Sequence, residues 1–200
     1  MDKIFLEKNI VIIGDFKPSN YDKLFFIKNG ILKEEEILDG SIFLPDNSYI
    51  ETSEYIIDIS DFRITITLKN TKLSIKDSSI QKLFNDLYIK AYGFNFKIVL
   101  LCDDISTVSK KFFYFEQNKL NKFFDNDTTV YGYYVSSEYQ NSRIRLNIDP
   151  IELFSKDNKS TKNALDFNFN FHFKDDEFLK SIENFQSFED YTQTIIKEYE

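Results

Sequence analysis

The chain has 200 residues, of which 42% are hydrophobic and 17% aromatic, with 22 Phe, 12 Tyr and no Trp; that is enough apolar side chain for one compact core, or for two small ones sharing an interface. A formal charge of −8 argues against a polyanionic partner, because a nucleic-acid binder carries a basic field, although a local basic patch is compatible with it. A single cysteine, Cys102, excludes an intramolecular disulfide and any zinc site built from a cysteine cluster.

Ile10–Ile13 is short and β-branched and reads as a buried strand. Gly14 to Lys17 then make a tight connection to a helix over 19–29, with Ser19 as N-cap and Asp22 completing a capping box. Tyr21, Leu24 and Phe25 share one face of that helix, and Asn29-Gly30 supplies a left-handed stop.

From Tyr49 the period changes to two. Strands are expected at 55–59, 62–68 and 72–75, separated by the turn residues Ser60-Asp61 and Asn70-Thr71. Phe62, Ile64, Ile66 and Leu68 fall on one side of the second strand, and Arg63, Thr65 and Thr67 on the other. Asp77 and Ser78 cap a helix over 78–91 whose stripe is Ile80, Leu83, Phe84, Leu87 and Ala91, with Gly93 ending it.

The apolar run 96–102 ends in Cys102, read as a buried, inert thiol. Residues 103–127 are read as helical through Leu120–Phe124, with a strand at Phe112–Phe115 as the alternative. Further strands are expected at 129–135, 143–148 and 165–173, with a polar loop at 156–162. A helix over 178–198 follows, recapped by Ser187 and Asp190 after a break near Gln186.

The expected fold is α+β with a mostly antiparallel sheet. It is read as one compact domain over 1–200, in two strand-strand-strand-helix halves of about 1–102 and 103–200. The chain shows no signal peptide and no membrane span, so a cytoplasmic protein is the expectation.

Most chemistries lack parts. Gly14-Asp15 follows a strand as in metallophosphoesterases, but those enzymes need several histidines and this chain has only His172. Dinucleotide-binding and P-loop glycine patterns are missing, so Gly14-Asp15 is read as a turn. His172 shares the polar side of its strand with Asp166, Asn168, Asn170 and Lys174; six residues separate it from Asp166, about 20 Å at the usual rise, so the two do not pair. The acidic clusters Asp103-Asp104, Asp125–Asp127 and Asp175–Glu177 lack calcium-loop spacing, and helix capping accounts for the last of them. No catalytic residue, metal site or cofactor is therefore assigned. Arg143 and Arg145 flank Ile144 and point to one side of a strand. A solvated sheet face is the ordinary reading, and contact with a ligand anion or a partner carboxylate is the sharper one. Together with Asp15 they are the candidate binding residues.

The opening Val11-Ile-Ile-Gly-Asp-Phe-Lys-Pro18, the aromatic helix after it, Asn29-Gly-Ile-Leu32 and Ala91-Tyr-Gly-Phe-Asn95 together resemble a family of small bacterial proteins. That family opens with a strand, Gly-Asn-Phe-Asn-Pro, a Phe-rich helix and Gly-Leu-Ile. Here Asp15 and Lys17 stand where the pattern has Asn, and the histidines of its second motif are lacking. The resemblance implies a two-part α+β fold with no assigned activity, in companions of larger bacterial systems such as anti-phage defence.

The resulting expectation is a non-enzymatic interaction or accessory subunit that docks onto a larger protein partner or onto its own copies. Two alternatives stand beside it. One is a small-ligand or nucleic-acid sensor using Arg143 and Arg145; the other is a metal-dependent hydrolase built on scattered carboxylates.

Overall fold

The computed structural model describes residues 1–70, 75, 78–85, 87–124, 126–154, 161–174 and 177–200. Among them, β1 (Lys3–Gly14), β2 (Ile42–Phe43), β3 (Asn47–Glu51), β4 (Tyr55–Ser60), β5 (Arg63–Leu68), β6 (Ile89–Cys102), β7 (Tyr133–Tyr139), β8 (Ser142–Phe154) and β9 (Thr161–Phe173) form a single sheet. Its order is β2-β3-β4-β5-β1-β6-β9-β8-β7, and every pairing is antiparallel. The helices are α1 (Lys23–Lys28), α2 (Ile105–Phe113), α3 (Asn121–Phe124), α4 (Phe178–Glu183) and α5 (Phe185–Lys197). The architecture is α+β with sheet predominating, as expected.

The core lies on one side of this sheet. Side chains two residues apart share a face, and register carries each apolar set onto the next strand. Ile57 faces Ile66, Ile66 faces Ile10, Ile10 faces Phe94, Phe94 faces Phe171, and Phe171 faces Ile144. All six are buried. The helices cover this side with rings. Phe188 of α5 packs 5.1 Å from Phe171, 5.3 Å from Phe173 and 5.4 Å from Phe94, centroid to centroid. Phe178 of α4 stands edge-on to Tyr92, Phe185 to Phe94, and Tyr199 to Phe167. The stripe Phe188, Tyr191, Ile195 and Ile196 is therefore used on the protein's own core.

A bulge in β1 decides which charge enters that core. Phe5 pairs with Ile98 and Glu7 with Lys97, so Leu6 is the extra residue. The one-residue shift puts Lys8, rather than Glu7, in register with Phe96 on the covered face. Lys8 is buried there, with its Nζ 2.5 Å from Glu189 Oε2 of α5 and 5.3 Å from the centre of the Phe185 ring.

Several expected elements are corrected. The helix over 78–91 does not form: Ser79–Phe84 is a 3-10 segment that buries Ile80, Leu83 and Phe84, and Ile89 already opens β6. Pairing with β1, which takes in Ala91, and with β9 from Tyr92 onward overrides the helical spacing there. Gly93 is accordingly no helix stop but a crowded sheet position, where a Cβ would lie 3.1 Å from the Phe171 carbonyl oxygen.

The 19–29 helix is shorter than expected. Pro18–Asn20 is a 3-10 turn, and Asp22, not Ser19, caps α1 by accepting from the Phe25 N–H at 2.7 Å. Phe26 is the buried residue of α1, while Leu24 is exposed. Gly30, at φ +61°, does supply the left-handed stop.

The strand expected at 129–135 begins at Tyr133, and Phe62 lies in the turn before β5. Residues 105–113 and 121–124 are helical, so Phe112 is not in a strand. The terminal helix breaks at Asn184, two residues before the expected point, and gives α4 and α5. The expected strand at 72–74, the Asp77 cap, Asp125, loop residues 156–160 and the Asp175-Asp176 cap lie outside the described residues. Thr161 and Lys162 belong to β9.

Candidate functional site

The side of the sheet opposite the core carries its polar residues in rows set by register. One row runs Gly93, His172, Arg143, Glu138 across β6, β9, β8 and β7. The next runs Asn9, Asn95, Asn170, Arg145, Ser136, beginning on β1. A third runs Glu7, Lys97, Asn168, Asn147, Tyr134. Among the described residues, every ring contact between a helix and the sheet lies on the other face.

The second row is a hydrogen-bond relay. The Asn170 amide donates to Asn95 Oδ1, Asn95 Nδ2 donates to Asn9 Oδ1 at 2.7 Å, and the Asn9 amide donates to Glu7 Oε1. Asn95 and Asn9 each accept through Oδ1 from one neighbour and donate through Nδ2 to the next, so a polar stripe is hydrogen-bonded across the middle of the sheet. Beside it, Lys97 Nζ lies 3.1 Å from Asp166 Oδ2, while the buried Asp166 Oδ1 has no partner among the described residues. Asp149 stands opposite Asp166 in register and accepts from the Asn147 amide. Among the described residues no group of three His, Cys, Asp or Glu side chains is placed to hold a metal.

Arg143 and Arg145 both lie on this face, and the structure brings them together with His172 and Lys174. These residues, with Glu138 and Asn141, line a cavity of about 280 Å³ at the β7–β8–β9 corner. Arg143 is engaged within the sheet: Nε donates to Ser136 Oγ at 2.9 Å and Nη1 to Glu138 Oε1 at 2.8 Å.

Asp15 is elsewhere. It pairs with Lys90 at 2.7 Å, with side-chain exposures of 63% and 49%, and does not line the Arg143–Arg145 cavity. Gly14 is held in β1 beside β6, where a Cβ would come within 2.4 Å of the Tyr88 carbonyl oxygen. Gly14-Asp15 is thus a packed strand end followed by a surface ion pair.

Cys102 closes β6 beside a larger cavity of about 730 Å³, lined in part by Met1, Asp2, Asp103, Asp104 and Lys162. Burial raises the thiol above its usual range, and the charges of Asp103 and Asp104 raise it further, which holds the sulfur in its unreactive form. Asp104 itself caps α2. Its carboxylate is held below the usual range by the Thr107 hydroxyl at 2.6 Å, then by the N–H groups of Thr107 and Ser106.

Sequence reasoning missed the amide relay, the Lys97–Asp166 pair and the place of Lys174. The alternation Phe94-Asn95-Phe96-Lys97 matches that of Phe167–Phe173 and is the signal that two amide-bearing strands lie side by side. The chain matches no family model and no curated protein. No helix among the described residues is long and apolar enough to cross a membrane.

Proposed function

We propose that this chain is a non-enzymatic interaction subunit that docks the uncovered polar face of its sheet onto a larger protein partner. The observation that carries this reading is the one-sidedness of the sheet. Among the described residues its helices pack their rings on one face, while the other presents half-exposed amides and threonines, including Asn95, Asn170, Thr65 and Thr67, and the exposed Arg145, all pre-ordered by strand pairing. A rigid surface with its hydrogen bonds already oriented loses little entropy on binding, which favours specific polar docking.

In this reading the halves 1–102, with β1–β6, and 103–200, with β7–β9, are two wings of one platform, over one domain spanning 1–200. The resemblance in the opening strand-turn-helix points to a partner in a bacterial system such as anti-phage defence, while Ala91–Asn95, which lies inside β6 rather than at a helix end, adds nothing to it. A site in the cytoplasm accords with that role.

The test is purification of the tagged protein from its host at low salt, beside the variants Thr65→Lys and Thr67→Lys on the uncovered face. A stoichiometric protein that accompanies the wild type and is lost from both variants supports docking through this face. Retention by the variants, or a clean monomer alone, defeats it. Stabilisation of the fold by magnesium, manganese or calcium would instead favour the carboxylate hydrolase, with Asp149 and Asp166 as its first residues to examine.

A further inference from the structure

We propose that the corner cavity lined by Arg143, Arg145, His172 and Lys174 is a binding site for a tetrahedral dianionic oxyanion of the phosphate class. This goes beyond the docking reading and stands independently of it. In a chain of formal charge −8, some cationic side chains pair singly with a carboxylate, as Lys3, Lys23, Lys69, Lys90, Lys97 and Lys180 do. The side chains of Arg145, His172 and Lys174 form no hydrogen bond or ion pair among the described residues, yet they converge on one cavity.

Geometry supplies the rest. Arg143 faces His172 directly across β8 and β9, and Arg145 follows two residues along the same side of β8. Lys174 continues the His172 side just beyond β9. Glu138, the one carboxylate among the described lining residues, is paired with Arg143 at 2.8 Å. Two permanent charges, Arg145 and Lys174, have no counter-charge among the described lining residues, which matches a dianion better than a single carboxylate. The guanidinium offers a planar fork for two oxygens, the ammonium a point charge, and the imidazole one further donor. A volume of about 280 Å³ accepts a phosphate with part of an attached ester group.

The chain has only one histidine, so the imidazole C–H signals of His172 are a built-in probe in a proton NMR spectrum. The experiment titrates inorganic phosphate, and separately glycerol phosphate, into the full-length protein, with sodium chloride matched for ionic strength. The variants are Arg145→Ala, Lys174→Ala and, as control, Arg63→Ala, an exposed arginine on the same face but on β5. Upfield methyl signals report that each variant is folded.

The expected result is a saturable shift of the His172 signals by phosphate and not by chloride, unchanged in R63A. In R145A and K174A the affinity falls by about tenfold or more, the loss that follows from removing one hydrogen bond to a charged group. Tighter binding of glycerol phosphate than of inorganic phosphate makes the ligand a phosphomonoester; equal binding makes it the free anion. A non-saturating shift, a shift equal to that of chloride, or one equally present in R145A and K174A is an adventitious ion only and overturns the proposal.

Discussion

Replacing Lys8 by Met tests whether the buried ion pair, rather than ring packing alone, registers α5 on the sheet. The Lys8 side chain is 1% exposed and that of Glu189 11%, and their charged atoms are 2.5 Å apart. Removing one partner of a buried pair costs about 3–5 kcal/mol, because the other charge stays behind without compensation. Glu189 retains a small opening to water, which places K8M near the lower end, about 3 kcal/mol. For a chain of this size each kcal/mol corresponds to about 2–4 °C in melting temperature, so a fall of roughly 6–12 °C is expected. The assay is thermal and urea denaturation followed by circular dichroism, with both probes required to give one transition. The double variant K8M/E189L replaces both charges with apolar groups and is expected to return to wild-type stability or exceed it, since burying a pair costs nearly as much desolvation as its attraction returns. A K8M loss below about 1 kcal/mol, the range of an exposed pair, would refute the reasoning. So would a double variant less stable than K8M.

The remaining predictions concern the turn, the acid limb and the thiol. Gly14→Ala should destabilise by about 1–3 kcal/mol or more, because the added methyl meets the Tyr88 backbone oxygen and the Phe16 ring, whereas Asp15→Ala, which removes only an exposed pair, should stay within about 1 kcal/mol; equal effects in a urea titration would contradict this. The carboxyls of Asp104 and Glu200 are both lowered on folding, Asp104 by its Thr107 cap and Glu200 by Lys3. Depressed folded values mean that their contributions are present above the unfolded carboxylate range and are lost as pH falls through the folded values, so melting temperature should drop below about pH 4. The drop should be shallower in Asp104→Asn, and superimposable pH curves would dismiss the cap's role. Cys102 should alkylate with iodoacetamide near neutral pH more slowly than glutathione does, and a faster rate would restore thiol chemistry to consideration.

The strands at 55–59, 62–68, 143–148 and 165–173 were legible because a sheet covered on one side imposes a two-residue alternation that survives any change of tertiary context. The two central strands were harder to read. In β1 the residues before Ile10 carry Lys3, Glu7 and Lys8, which dilute the apolar signal, and only the bulge at Leu6 explains how a lysine comes to lie in the core row. In β6 the segment before Phe94 follows Ile80, Leu83 and Phe84, whose helical spacing is real but is satisfied by one short 3-10 segment. Local pattern and long-range pairing compete there, and a strand with partners on both sides wins.

The candidate site divides along the same line. That Arg143 and Arg145 share a side, and that His172 and Lys174 share a side, follows from spacing within each strand. That Arg143 faces His172 does not, because register is fixed by the β8–β9 pairing as a whole, in which Leu146 meets Phe169 and Ile148 meets Phe167 on the core face. The packing of those apolar pairs thus sets the position of the cations behind them. A slip of one residue between β8 and β9 would turn one of those two side-chain sets over and scatter the cavity. The cationic corner is a consequence of the hydrophobic core. Conservative core changes at Ile144 or Leu146 that keep the register should accordingly leave the His172 signals where they are, even when they lower stability.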